Sequence, residues 1–589
     1  GVSLIKRINL SYIGFISIAL LSSSKIISQT TFTESAASFG LNLGQPKDGG
    51  HAWSDFDNDG DLDVLVLENN NSQNIKSFLM RNNGNNTFTN VQPTLVPGMP
   101  GDWADGIGGT APITIGRTGA TINVPNVNSE GTGFFDFEGD GDLDIFFDNH
   151  DMGIELLRNN FIDHTTHTIA NPAPNVLFTH ITTGNGSGVT EFGLNQFATD
   201  GDYGTAADVN DDGWVDIFMR KRDENDFFLN QGGNFSNGAD LGQAANNNKG
   251  GNGLWDLDND GDLDAVWTEN GQTQIHRNDG GGVFTALGAS SFPGLPQPGN
   301  LDNGSSGARI DALAGGDIDN DGDIDIILVG NSRSYLYINQ LNSPTPAPGV
   351  IGSGSAMSFS LDSQQFNSGR DGEGTTMVDI DDDGDVDIYI SINNNSNQLY
   401  INNLPAANRN NHLLIDVTED RGADGSTGGF LGRVAIGTNV LIRDCSGNII
   451  SGLRQVNGVY GHGTQQPEEV HFGLPLGEDE IYIIEVHYPN FYDDSEPSGY
   501  SRLVATAIAQ PSTIAGTNHY TLTTTDAELI ENPNAPIAED DEVRVAYGNS
   551  VSVQIHLFTN DSEPDGENFS IENVTQPAID TVVIDDAEN

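Results

Sequence analysis

A single cysteine, Cys445, stands in a chain of 589 residues, so no disulfide can form within it. Basic side chains are also scarce. Lys and Arg number 23 against 84 Asp and Glu, for a formal net charge of -61. That balance excludes nucleic acid and anionic lipid as partners, because binding to either depends on Lys and Arg meeting phosphates. Arg220, Lys221 and Arg222 form the only tight basic cluster. No G-x-S-x-G, H-E-x-x-H or Walker-type loop is present. Helical periodicity is missing from the organised stretches.

Long apolar runs are missing too, with one exception near the start. Lys6 and Arg7 precede an apolar run at 8–21, and Ser22, Ser23, Ser24 and Ser28 follow it. The run is shorter than a membrane span needs. It reads as an export signal over 1–28, with cleavage near Ser28 and Gln29. No cysteine follows for a lipid anchor, and the mature chain is expected to contain no membrane span. The expected location is outside the cell or on its surface, in a bacterial envelope. An exported chain without disulfides needs other staples, and bound metal is one candidate.

What the sequence has in abundance is glycine, at 72 residues, and aspartate in a repeating nine-residue pattern. The copies are 55-DFDNDGDLD-63, 136-DFEGDGDLD-144, 208-DVNDDGWVD-216, 256-DLDNDGDLD-264, 317-DIDNDGDID-325 and 379-DIDDDGDVD-387. Their starts lie 81, 72, 48, 61 and 62 residues apart. More than a third of all acidic residues fall inside them. A merely solvated acidic chain would spread its charge, so the clustering points to cation binding. A small-residue stretch precedes each copy, and a short β-rich run such as VLVL or IILV follows. A polar turn comes next, as in MRNNGNNTF (80–88) or FFLNQGGNF (227–235). The unit reads strand, Asp loop, strand, turn, strand. Units of this length predict blades of an all-β propeller, each burying its faces on its neighbours.

Calcium takes about six to eight oxygen ligands in flexible geometry. Carboxylates at positions 1, 3, 5 and 9 of the loop can converge on one ion, while position 6 is Gly in every copy, as a sharp turn with positive φ requires. Position 7 is Asp in five copies and Trp214 in one, so it is read as offering its backbone carbonyl. Positions 2 and 8 are apolar and would pin the loop to the core. The predicted ligand sets are therefore Asp55, Asp57, Asp59, Asp61 and Asp63; Asp136, Glu138, Asp140, Asp142 and Asp144; Asp208, Asn210, Asp212, Trp214 and Asp216; Asp256, Asp258, Asp260, Asp262 and Asp264; Asp317, Asp319, Asp321, Asp323 and Asp325; and Asp379, Asp381, Asp383, Asp385 and Asp387. About six Ca2+ ions are expected, more weakly held where Glu138 and Asn210 replace Asp at position 3. An EF-hand does not fit, because the loop lacks Glu at position 12 and strands flank it. Magnesium would demand a tighter octahedron.

These loops and flanks resemble the FG-GAP/VCBS repeats of integrin-α-type β-propellers over 29–405. The resemblance implies calcium on loops at one rim of the propeller. Six loops mean six motif-bearing blades, and the spacings of 81 and 72 residues leave room for a seventh or for insertions.

From 409 to 525 the pattern changes to strand runs such as NHLLIDV (411–417) and IYIIEVHYP (481–489). This part resembles the ASPIC/UnbV domain found in relatives of cartilage acidic protein. The anchors are Gly432, Arg433, Gly437, His471, Phe472, Gly473 and Leu474. Tyr488, Pro489 and Asn490 depart from the Trp-Pro-Ser-Gly usual in that family. His462 and His471, near Glu468 and Glu469, read as turn and strand-edge histidines, and Cys445 as a surface thiol. A linker follows at 526–536. Residues 537–589 resemble the start of a cadherin-like bacterial Ig repeat, a truncated β-sandwich with Asp561 and Asp565 as candidate ligands.

Three functions are compatible with this reading. One is an exported adhesion or binding module for an extracellular glycan or protein, with no enzyme activity. A second is a propeller enzyme acting on polysaccharide, and a third is a structural spacer in a surface stalk.

Overall fold

The computed structural model describes residues 31–529 with internal gaps, the longest at 91–111, 181–200, 289–309, 342–356 and 420–432. The export signal, the Ig-like tail, Cys445, His462, Asp55, Asp57, Asp59 and Asp142 lie outside the described residues.

The described chain is all-β with almost no helix, and its first part is a β-propeller of four-stranded antiparallel sheets. In blade 4 the strands are Asn252–Trp255, Asp264–Glu269, Gln272–Asn278 and Phe284–Ala286, in that spatial order. Blades 1, 2, 3 and 5 repeat this order, starting from His51–Ser54, Ser129–Phe135, Gly201–Ala207 and Ile310–Gly316. Blade 6 contributes Asp371–Val378, Asp387–Asn393 and Gln398–Ile401, and its outer strand is Thr33–Glu34 from the start of the propeller. The ring is thus latched by chain ends that meet in one sheet. Six blades are present among the described residues, and a separate hairpin, Pro112–Ile115 with Ala120–Asn123, lies between blades 1 and 2 in sequence.

Every Asp loop joins the first and second strands of its blade. Residues of neighbouring blades share hydrophobic clusters: blades 3 with 4, 4 with 5, 5 with 6, and 6 with 1. The second strand is therefore enclosed on both faces. That explains why Asp325–Gly330 reads as a continuous apolar run and is buried at every position. Each fully buried Ile, Leu or Val there contributes about 1.5–3 kcal/mol.

An asparagine closes the third strand of every blade: Asn82, Asn159, Asn230, Asn278, Asn339 and Asn402. In blades 3 to 6 its side-chain amide donates across to the preceding blade. Asn278 Nδ2 reaches Val209 O at 2.8 Å, Asn339 reaches Leu257 O at 3.0 Å, and Asn402 reaches Ile318 O at 2.9 Å. Replacing Asn278 with Ala leaves buried carbonyls without a donor. It is expected to cost about 1–3 kcal/mol in urea unfolding.

A second β unit follows. One sheet holds Arg433–Val434, His412–Glu419 and Val470–Gly473, with His519–Thr523 parallel to 412–419. The other orders Ile449–Gln455, Asn439–Arg443, Tyr482–His487, Val504–Ala509 and Glu528–Leu529. Glu528 and Leu529, read from sequence as the start of a linker, instead pair with Thr506 and Ala505. The core of this unit (Leu413, Ile415, Val440, Ile484) is continuous with Phe135, Phe137 and Ile217 of blades 2 and 3.

Candidate metal loops and the docked β unit

Position 1 of the loop is an aspartate that folds the loop around itself. In loop 4, Asp256 Oδ1 accepts from Asp260 N at 3.0 Å and Oδ2 from Gly261 N at 2.9 Å. The same pair of bonds recurs at Asp208, Asp317 and Asp379. Gly at position 6 has φ between 85° and 103° in the five described copies. Position 9 is a staple: Asp264 accepts from Leu257 N at 3.1 Å and from Asn278 N at 2.9 Å, fixing the loop to the third strand. Asp216, Asp325 and Asp387 repeat it. In loops 3 to 6 the apolar residues at positions 2 and 8 are buried, as in Leu257 with Leu263 and Ile318 with Ile324.

This folding brings carboxylates together. The triads are Asp136, Glu138 and Asp144 in loop 2; Asp256, Asp258 and Asp260 in loop 4; Asp317, Asp319 and Asp325 in loop 5; and Asp379, Asp381 and Asp387 in loop 6. Within each triad, one oxygen per residue lies within 4.8 Å of the others. Asp258 Oδ1 and Asp381 Oδ1 are buried and meet no hydrogen-bond donor. Burial, with repulsion from Asp260, pushes Asp256 up to about 7. Burial and Asp383 push Asp381 up to about 6. Buried, mutually repelling oxygens with no donor are what a hard divalent cation would satisfy, so the donor set fits calcium.

Position 7 behaves differently. Asp323 Oδ1 accepts from Asn259 Nδ2 at 2.9 Å and Asp385 Oδ2 from Leu404 N at 2.8 Å. Trp214 packs edge-on against Tyr500, with centroids 4.9 Å apart. These side chains are engaged with their surroundings, in keeping with a backbone role at position 7.

Loop 3 departs most. Asn210 donates to Asp212 at 3.0 Å, and Arg502 stands 3.7 Å from Asp208 and bonds Asp211. His487 reaches Asp211 Oδ1 at 3.0 Å and Glu485 at 2.8 Å. Burial lowers the His487 pKa, but those two carboxylates outweigh it and hold it at about 9. Side-chain cations from the second β unit thus already face this loop.

Position 4 carries a role that the sequence reading overlooked. Asp211, Asn259, Asn320 and Asp382 have φ of 55°, 55°, 57° and 53°, and Gly139 fills the same place at 70°. Asn, Asp and Gly tolerate this left-handed geometry, so their recurrence there was the available signal. Their side chains reach outward. Asn259 Oδ1 accepts from Gly452 N at 2.9 Å, and Asn320 Nδ2 donates to Gly384 O of the next blade at 2.8 Å.

The second β unit therefore sits on the Asp-loop rim. Leu453 N donates to Asp256 Oδ2 at 2.8 Å, Ser451 Oγ to Gly322 O at 3.3 Å, and Asn490 N to Gly213 O at 2.8 Å. A Cβ on Gly473 would stand 2.0 Å from Asp317 Oδ2, and one on Gly437 2.5 Å from Val215. Gln465 pairs with the first strand of blade 1, and Gln466 donates to Gly315 O of blade 5 at 3.0 Å. The first strands of blades 2 to 6 contact one another in order, and this segment bridges the first strands of blades 1 and 5. A cavity of about 70 Å³ lies there, lined by Trp255, Gly315, Met377 and Arg454. His471 lies on the edge strand of its sheet but its ring packs into this seam, 5.8 Å from the ring of His412. Burial lowers its pKa to about 3, so it is neutral.

The FG-GAP-like repeat family matches residues 55–112, so the chain carries at least one such repeat. No curated protein matches the sequence. Among solved structures, the chain is similar to an Agrocybe aegerita lectin that recognises non-reducing terminal N-acetylglucosamine, at 17% identity over 62% of this chain and 74% of that one, with a TM-score of 0.33. It is similar to the fucose-specific lectin of Aleuria aurantia, at 10% identity over 62% and 99% with a TM-score of 0.32. PorZ, a surface component of the type-IX secretion system of Porphyromonas gingivalis, aligns at 10% identity over 79% and 59% with a TM-score of 0.29.

Proposed function

We propose that this chain is an exported, calcium-stabilised propeller that binds or displays an extracellular glycan or protein and does not transform it. One observation carries the calcium reading: triads of carboxylates converge in four loops, and in loops 4 and 6 a member of the triad, Asp258 or Asp381, holds a buried oxygen that no donor satisfies. The expected number of ions is lower than six at full strength, because Arg502 and His487 already offset charge at loop 3. The binding reading rests on shape. The cavity under the second β unit is about 70 Å³, below the roughly 300–1,000 Å³ of small-molecule pockets. Recognition is assigned to the outer blade surfaces and the uncovered face.

The second β unit is proposed to be ASPIC/UnbV-like. Its role is to lock the rim, since the family-type Gly437 and Gly473 are the points where its backbone approaches the propeller. Asn490, where the family differs, holds Gly213 and Asp212.

A glycan and extracellular-protein array, probed with the calcium-loaded chain and again in EDTA, tests the function. Calcium-dependent retention on a defined ligand class is expected. Turnover of polysaccharide without selective retention would refute the binding reading in favour of an enzyme.

A further inference from the structure

We propose a second kind of metal centre, formed by Asp416, Glu469 and His519 on the second β unit, that takes a single divalent transition ion of the zinc class. It lies beside loop 6 but shares no ligand with the Asp loops, and it does not depend on the calcium reading.

Two strands and the residue that leads into a third build it. Along 412–419, Leu413, Ile415 and Val417 point into the hydrophobic core, so Asp416 points to the opposite face. The antiparallel register sets Ile415 against Val470, which places Glu469 beside Asp416. The parallel register sets Leu414 against His519 on the other flank. One ligand atom from each of the three residues lies within 4.8 Å of the others. His519 Nε2 is 2.7 Å from Asp416 Oδ2 and 3.8 Å from Glu469 Oε2.

A plain His–Asp ion pair accounts for two of these residues and leaves the third unexplained. The Glu469 side chain is only 11% exposed, and the His519 ring stands 3.8 Å from it, beyond hydrogen-bond reach. Its other charged neighbours are negative: Asp416, then Asp379 and Asp382 of loop 6. A largely covered carboxylate crowded by other carboxylates is a costly arrangement for an empty protein. A cation between Asp416, Glu469 and the Nε2 of His519 relieves it. The imidazole nitrogen selects the ion: one nitrogen with two carboxylates suits zinc, whereas calcium prefers oxygen alone. Three protein ligands leave a position for water or for an outside ligand group.

The test titrates Zn2+ into the full chain held in saturating Ca2+, read by calorimetry, with X-ray absorption on the loaded protein. One equivalent is expected, with one imidazole nitrogen in an otherwise oxygen shell. His519→Ala and Glu469→Gln are each expected to weaken zinc at least about a hundredfold, while each variant still melts higher with calcium than in EDTA. Wild-type protein that binds no zinc, an all-oxygen shell, or equal zinc affinity in Glu469→Gln would overturn the proposal. The wild-type measurements decide it even if His519→Ala does not fold. Loss of the calcium response alone would refute the loop reading and leave this one intact.

Discussion

Calcium added to chelator-treated protein is expected to raise Tm on the order of 10 °C or more, and EDTA to reverse the rise. At a hundredfold excess over Kd each occupied site adds about 2.7 kcal/mol. Several loops share one ring of blades, so their contributions act on one cooperative structure. The pH dependence should change sign with the ion. In the metal-free protein, burial and neighbouring carboxylates raise Asp256 to about 7 and Asp381 to about 6, from an ordinary 3.8. For buried Asp208, burial and Asp212 outweigh Arg502 and raise it to about 7. A raised carboxyl holds its proton in the folded state after the unfolded chain has lost it. Stability is then fully present below about pH 4 and falls as pH rises through about 7. Each fully buried group of this kind costs on the order of a few kcal/mol above that range. With calcium bound, ionisation is favoured, and stability should instead rise with pH as protons cease to compete. Differential scanning calorimetry from pH 4.5 to 8, with and without calcium, checks both slopes. A metal-free protein that melts higher at pH 8 than at pH 5 would contradict the geometry of the loops.

Two substitutions within loop 4 are expected to behave in opposite ways. Asp264 is fully buried and accepts two backbone N–H groups, from Leu257 and Asn278. Asp264→Ala strands both donors, at about 1–3 kcal/mol each, and removes the position 9 carboxylate. It should lower stability with or without calcium, by about 3–5 kcal/mol. Asp258 has a buried Oδ1 that no donor meets, and Asp260 and Asp256 repel it. Asp258→Asn removes that repulsion, so it should stabilise the protein in EDTA and weaken it in calcium. Paired urea titrations read both effects. If Asp258→Asn destabilises equally in both conditions, position 3 is a packing residue and not a ligand.

The second β unit bears on both experiments because it shares bonds with the loops. Leu453 N uses the same Asp256 oxygen that Gly261 N uses, so loop 4 and the docked unit are ordered together. Calcium-driven ordering of the rim is therefore expected to appear in the melting of both units as one transition.

The amino-acid order alone determined the repeating unit. The nine-residue loops, their Gly turns and the apolar positions 2 and 8 are local: a loop closes on backbone groups within a few residues, and its side-chain types show in the chain. The strand pattern, and hence blades, followed from the same locality. Other features depend on groups far apart in sequence, and only the tertiary structure decided them. Thr33–Glu34 completes blade 6 across more than 360 residues, because an edge strand takes whichever partner closes the ring. The Asn at the end of each third strand showed in the repeats, but in blades 3 to 6 it reaches an acceptor in the neighbouring blade. Position 4 showed its left-handed residue types, yet its partners are Gly452 and Arg502 of another unit. Asp416, Glu469 and His519 share no motif, since sheet register assembles them from points up to about 100 residues apart. Side chains that meet only through sheet register and domain docking leave no spacing to read, and here those contacts decide which loops stay open to a cation.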